Sequence, residues 1–305
     1  MGAGLGRRWK QIGILWVTAA LVLISSRGFG ICVTDQLGRQ ITVTDDVKRV
    51  IALAPSITEI VFALGQDHRL VGVTQFSNYP DEVAKFPRVG SYVHLDLEKI
   101  VALKPDLCIA IKDGNPREIA FRLQAMNIPV YAVDPRDLKT VMNTISEIGD
   151  LLDARENARI LVQQMQIRIG KVKAMVEKSQ HRPGVFFQIG ISPIVSVGTH
   201  TFTHELISIA GGTNLSEGPV PYPRFSKEQV IALSPEVLII TSMARERGFD
   251  EILSQWTCWP DLPAVKHQRI SVVDSDIFDR PTPRLVDGLE LLLTLIHPEL
   301  VKEQQ

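Results

Sequence analysis

From Arg49 onward, short apolar runs alternate with amphipathic segments. "RVIALAP" (Arg49 to Pro55) is a continuous apolar run closed by proline, the pattern of a buried strand. "SITEIVFALG" follows with Ile60, Phe62, Ala63 and Leu64 as its apolar face; Ser56 and Glu59 have capping-box spacing, and Gly65 marks the stop. "LVGVT" predicts a strand. "LEKIVALK" predicts a helix capped by Asp96 and ended by Pro105, and "DLCIAI", "EIAFRLQAMN" and "IPVYAVD" predict strand, helix and strand. Upstream, "ITVTD" (Ile41 to Asp45) alternates like an edge strand. Strands and helices taking turns over short connections predict a mostly parallel sheet covered by helices.

The pattern changes at Leu138. "LKTVMNTISEIGDLL" is helical, and a long stretch follows in which Leu161, Met165, Ile169, Val172 and Val176 recur every three or four residues as one stripe. A helix of about 26 residues there spans roughly 39 Å, comparable to a domain diameter. At "HRPG" the alternation restarts: "VFFQIG", "PIVSVG", "EVLIIT" and "ISVVD" predict strands, and "RLVDGLELLLTLIHP" a closing helix. The chain thus divides into an apolar leader (residues 1–30), an α/β lobe (31–150), a bridging helix (151–181) and a second α/β lobe (182–305). One phrase occurs in both lobes, "LEKIVALKPDL" and "SKEQVIALSPEVL", aligned without a gap at an offset of 130 residues that sets Glu98 over Glu228. Both glutamates fall in the first turn of a helix. There the helix dipole favours a carboxylate by about 0.3–1 kcal/mol, while two matched exposed carboxylates also suit a two-pronged docking surface for a basic partner. Pattern alone leaves both roles open.

Charge and composition narrow the function. In the leader, Arg7, Arg8 and Lys10 precede the uncharged run Ile12 to Ile24, short for a spanning helix, and small residues follow up to Gly30, which predicts export with processing there. Without residues 1–30, 29 basic residues face 34 acidic ones; a net charge of −5 does not suit an electrostatic nucleic-acid binder. Cys32 lies just beyond the leader, where a lipid anchor would attach, but Ile31 stands where such a signal carries a small residue. Cys32, Cys108 and Cys258 form no disulfide framework.

In open α/β sheets ligands sit beyond the carboxyl ends of the strands. The loops there carry Phe76, Tyr79, Tyr92, His94, Tyr222, Phe225 and the segment Arg280, Pro281, Thr282, Pro283 and Arg284. Aromatic rings there suit a large planar ligand, and arginines suit carboxylates, amide oxygens or phosphate. His200 and His204 have metal-ligand spacing only if both are helical, and Thr203 as N-cap would exclude His200; no metal site is assigned. His94 with Tyr92 offers a haem-iron ligand pair. No nucleophile elbow, phosphate loop or zinc-protease helix occurs, so the enzyme alternative is reduced to an exported hydrolase using Asp276, Asp279 and His94.

The blocks "RVIALAPSITEIVFALG", "VGVTQFSNYP", "LEKIVALKPDL", "GTHTFTHELISIAGGTN", "VPYPRFSKEQVIALSP" and "FDRPTPRL", in this order over residues 48–297, resemble the periplasmic substrate-binding proteins of ABC importers for cobalamin, iron–siderophores and haem, the cobalamin branch above all. The resemblance implies two Rossmann-like α/β lobes bridged by a single long α-helix, no enzymatic activity, no resident cofactor, and a monomer acting outside the cytoplasm. It implies a corrinoid held between the lobes by Phe76, Tyr92, Tyr222 and the loop from Arg280 to Arg284, with an iron–siderophore or haem as the alternative ligand. It also implies that Glu98 and Glu228 meet arginines of a membrane permease that works with an ATPase. The chain departs from the cobalamin pattern in its aromatics: Phe76 replaces a tyrosine, Tyr92 and Tyr222 replace tryptophans, and Ile111 and Ile189 replace further rings. These departures put the ligand in question, not the fold.

Overall fold

The computed structural model describes residues 30–241 and 249–302; apart from Gly30, the leader lies outside them. The first elements are β1 (Gly30–Thr34) and β2 (Gln40–Thr44), an antiparallel pair in which Cys32 lies opposite Thr42. The alternating segment is therefore half of a separate hairpin, not an edge of the main sheet. Ile41 and Val43 are buried, and Gln36, in the turn, hydrogen-bonds Thr144 and Glu147 in the helix above. Cys32 is exposed and unpaired in β1.

The first lobe is built on β3 (Val50–Ala52), α1 (Pro55–Ala63), β4 (Leu70–Val73), α2 (Leu97–Ala102), β5 (Leu107–Ile111), α3 (Arg117–Ala125) and β6 (Val130–Val133). Its strands are all parallel, in the order β4-β3-β5-β6. Every residue of β3 and β6 is buried, as a sheet covered on both faces requires. Helices α4 (Leu138–Leu151) and α5 (Arg155–Val176) follow; α5, at 22 residues, spans roughly 33 Å. It buries Met165, Ile169, Val172 and Val176 of the predicted stripe and leaves Leu161 half-buried.

The second lobe comprises β7 (Gly184–Ile191), β8 (Ile194–Ser196), α6 (Phe202–Ile209), β9 (Thr213–Asn214), β10 (Arg224–Phe225), α7 (Lys227–Leu233), β11 (Val237–Thr241), α8 (Phe249–Thr257), α9 (Pro263–Lys266), β12 (Ile270–Val273), α10 (Ser275–Phe278), α11 (Leu285–Ile296) and α12 (Pro298–Lys302). Its sheet runs β10-β8-β7-β11-β12, with β9 also on β7, and is mixed: β7, β9, β11 and β12 are parallel, and β8 pairs antiparallel with both β7 and β10. The lobes meet through α5 and through side chains that cross between them. Arg168 of α5 binds Asp287 and Glu290 of α11, each at 2.6 Å, and Asn157 donates to the carbonyl of Leu64 at 2.8 Å. Glu205 of α6 accepts the N–H of Leu138 at 2.8 Å, so a carboxylate from one lobe caps a helix of the other. Among the described residues no helix is long and apolar enough to cross a membrane.

The repeated phrase is repeated structure. Asp96 accepts from the Lys99 N–H and Ser226 from the Gln229 N–H, so each copy opens with a capped helix. Ile100 and Val230 are fully buried one turn later. Lys104 (φ 47°) and Ser234 (φ 51°) both take the left-handed conformation before Pro105 and Pro235. The next carboxylates bind back to the start of the lobe: Asp106 accepts the N–H groups of Lys48 and Arg49, each at 2.9 Å, and Glu236 that of Gly184 at 2.9 Å. Asp106→Ala and Glu236→Ala should therefore each cost about 1–2 kcal/mol, within a few tenths of one another, in urea denaturation. Markedly unequal losses would show that the two copies do not do the same structural work.

Candidate functional site

The first lobe's rim of the inter-lobe cleft is a set of loops braced from beneath. After β4, the hydroxyl of Ser77 lies 3.0 Å from those of Thr58 and Thr74, all three buried. Arg88 donates to the carbonyls of Thr74 at 3.0 Å and Ser77 at 2.6 Å. The brace leaves no apolar room for Phe76, which stands 49% exposed. Tyr92 meets it edge-on at 6.1 Å between ring centroids. The Tyr92 ring lies on the backbone of Gly114 (φ +133°), where a Cβ would come within 2.7 Å of it, so only glycine permits this seat. Asn115 fixes the arrangement by donating to the carbonyls of Leu53 at 2.7 Å and Tyr92 at 2.8 Å while accepting the Ile111 N–H at 2.7 Å.

The second lobe's rim is the loop before α7. Its backbone is clamped to the preceding turn by Gly198 N–H to the Pro221 carbonyl at 2.8 Å and Ser196 N–H to that of Pro223 at 3.0 Å. Tyr222, between these clamps, is 56% exposed. Its phenol is pushed above the ordinary range by partial burial, then by the negative charges of Asp113 across the cleft and Asp279 on its own side, with Arg136 opposing. Asp113 is the chain neighbour of Gly114, the residue beneath the Tyr92 ring. The cations on that lip are already paired: Arg136 with Asp113 at 2.6 Å and Asp134 at 2.7 Å, Lys112 with Asp134 at 2.7 Å.

The terminal loop departs from expectation. Arg280 and Arg284 are predicted to meet a ligand; the structure turns both into the opposite lobe. Arg280, its side chain 11% exposed, donates to Glu59 at 2.8 Å, to Asn78 at 2.7 Å and to the Phe76 carbonyl at 3.2 Å, and pairs with Asp276 at 2.7 Å. Arg284 stacks on Tyr79 at 4.1 Å and lies 3.6 Å from the second oxygen of Glu59. Pro281 and Thr282 are buried and Pro283 half-buried; the Thr282 hydroxyl accepts the Arg284 N–H at 3.2 Å. These residues hold the loop's shape and leave the open rim to the aromatics.

Glu59 is the residue the sequence pattern misplaced. Pro55 occupies the first turn of α1, whose N-cap is Ala54 with no side-chain cap, so Ser56 and Glu59 are inside the helix and form no capping box. Glu59 instead falls on the buried face beside Ile60, 4% exposed. A lone acid in an otherwise apolar helix face was the available signal. Burial pushes its carboxyl upward, against the pull of Arg280 and Arg284.

Among the described residues His200 and His204 do not share a helix face. The N-cap of α6 is Thr201, not Thr203, so His200 precedes the helix; His204 pairs with Asn214 at 3.0 Å. His94 is exposed, and among the described residues no hydrogen bond joins it to Asp276 or Asp279. Glu98 and Glu228 stand exposed in the first turns of α2 and α7.

Comparison with known proteins places this geometry. Residues 50–277 match the family model described as periplasmic binding protein. The vitamin B12-binding protein of Vibrio parahaemolyticus is 31% identical over 262 residues, 86% of this chain and 93% of that protein. The crystal structure of the periplasmic vitamin B12 binding protein of Vibrio cholerae superposes with a TM-score of 0.72 at 29% identity, covering 82% of this chain and 96% of that one. A periplasmic haem-binding protein of Roseiflexus sp. RS-1, in apo form, superposes with a TM-score of 0.74 at 25% identity over 83% and 99% of the two chains. These relatives are binding proteins, not enzymes.

One acid of the cleft titrates far from its usual range. Burial, then the charge of Asp276, pushes half-buried Asp279 up to about 7 from 3.8, with Arg280 opposing. The folded protein therefore keeps a proton that the unfolded chain releases, and unfolding becomes easier as pH rises from about 4 to about 7. Asp279→Asn should remove that fall and be more stable than the parent at pH 8 by about 1–2 kcal/mol, after allowance for solvent screening, with little change at pH 4. Urea denaturation at the two pH values measures it; parallel pH profiles for parent and variant would refute the assignment.

Proposed function

The chain belongs to the periplasmic binding protein family, and from that premise we propose that it is the extracytoplasmic receptor of an ABC importer, capturing a corrinoid between its lobes and delivering it to a membrane permease coupled to an ATPase. The observation that carries this reading is the placing of Phe76 and Tyr92 on one rim and Tyr222 on the other, all on braced loops. Exposed Phe76 and Tyr222 and half-buried Tyr92, held by braced loops, offer stacking and edge contacts to a large, flat, largely apolar ligand without ordering new side chains. The vitamin B12-binding relatives support the corrinoid over other ring systems. His94, exposed two residues beyond Tyr92, favours haem as the second reading, because an imidazole so placed can reach an iron.

Titration calorimetry with cyanocobalamin, haem and a ferric siderophore separates these ligands. Cyanocobalamin should bind most tightly, and Phe76→Ala with Tyr92→Ala should weaken it at least about tenfold, or 1.4 kcal/mol. Preference for haem or the siderophore would overturn the ligand and leave the receptor role standing.

Glu98 and Glu228 are the proposed permease contacts. Each sits in an exposed first helical turn, so Glu98→Ala with Glu228→Ala should cost folding no more than about 1 kcal/mol per site. Losing one member of a desolvated charge pair at an interface costs about 2–5 kcal/mol, so uptake through the cognate importer should be abolished while ligand affinity is kept. Normal uptake by the double variant would return both residues to the dipole role alone.

A further inference from the structure

A buried carboxylate ties the two lobes together beside the Phe76 loop. Glu59, on α1 of the first lobe, takes a 2.8 Å hydrogen bond from Arg280 of the second. The same guanidinium reaches Asn78 at 2.7 Å and the Phe76 carbonyl at 3.2 Å, in the loop that presents the Phe76 ring. Asn78 in turn donates to Asp276 at 2.8 Å, a second bond across the seam beside the first. The other Glu59 oxygen is buried and lies 3.6 Å from Arg284. Arg284 is itself held on Tyr79 of the first lobe. Beyond lies a cavity of about 350 Å³ lined by Glu59, Tyr79, Met165, Arg168 and Arg284, so apolar packing does not seal this side of the seam.

We propose that Glu59 is a positioning residue for ligand capture: by gripping Arg280 and Arg284 it locks the second lobe's terminal loop onto the Phe76 loop and sets the width of the cleft. Beside the Asn78–Asp276 bond, which also reaches this loop, two further cross-lobe ties lie elsewhere. Glu205 caps α4, and Arg168 joins α5 to α11, so neither holds the Phe76 loop. Without Glu59, Arg280 and Arg284 lose the partner they share, and Arg280 is left to meet the Phe76 loop through Asn78 and the Phe76 carbonyl with Asp276 as its counter-ion. The bearing on binding rests on the cleft being the ligand site; the bearing on lobe geometry does not.

Spin labels at Met126→Cys and Glu217→Cys, exposed sites on the two lobes, report the inter-lobe distance in a Cys32→Ser, Cys258→Ser background. The variants are Glu59→Gln and, to keep a folded protein in hand, Glu59→Leu with Arg280→Met, since apolar replacement of a buried ion pair commonly preserves folding. The expected result is a distance distribution broadened and lengthened by several Å at an unchanged melting temperature for the double variant. Cyanocobalamin affinity should fall at least about tenfold, because a smaller fraction of the protein holds the competent cleft. An unchanged distance distribution in a folded variant overturns the proposal. The distances decide it whether or not the parent binds cyanocobalamin; failure of the parent to bind overturns the ligand assignment alone.

Discussion

An ionised carboxylate withdrawn from water costs several kcal/mol unless cations and donors meet it, and Glu59 is met by two arginines from the other lobe. That requirement organises the surrounding seam. It draws the loop between β12 and α11 across to α1, sets Arg284 on Tyr79 and brings Asp276 within reach of Asn78. The cleft rims are thereby specified relative to one another before any ligand arrives. The apolar stripe of α5 brings the lobes together, but a stripe of Met165, Ile169, Val172 and Val176 is non-directional and leaves their rotation loosely defined. The ion pairs supply direction.

What was legible in the sequence follows the range of each interaction. The strands of the parallel sheet and the stripe of α5 were legible because period and burial are local signals. The caps of α2 and α7 were legible because Asp96 and Ser226 act three residues away. The hairpin was misplaced because alternation tells which residues of "ITVTD" face inward and not which strand they pair with. The capping box at Ser56 failed because Pro55 starts α1 one turn position earlier, and Thr201 displaced Thr203 as cap of α6 by the same small shift. The cross-lobe bonds of the arginines were not legible. Arg280 and Glu59 are 221 residues apart, and the motif around Arg280 suggests a ligand because arginines on cleft loops usually face one. Its partner is visible only in three dimensions. The aromatic candidates fared differently: Phe76, Tyr92 and Tyr222 do stand at the rims, since each is carried by a loop that the strand order alone places there.

The duplicated phrase divides along the same line. Capped start, buried aliphatic, left-handed exit and back-binding carboxylate recur in both lobes and serve the fold. Glu98 and Glu228 share the register too, each exposed in a first helical turn where the helix dipole favours a carboxylate.

The cap that Glu205 places on α4 has a kinetic consequence. Helix α5 is a rigid axle, and the Glu205 cap and the Glu59 seam are two further points of attachment away from it. Two bodies fixed at one axle and two off-axis points have little freedom left to hinge. A ligand then finds its walls already spaced, so encounter need not wait for a closing motion and the association rate is left to diffusion and orientation. By the same token escape needs no opening, so residence is set by the contacts the rims make and not by a gating motion. Two lobes pinned in this way spend little binding free energy on ordering themselves.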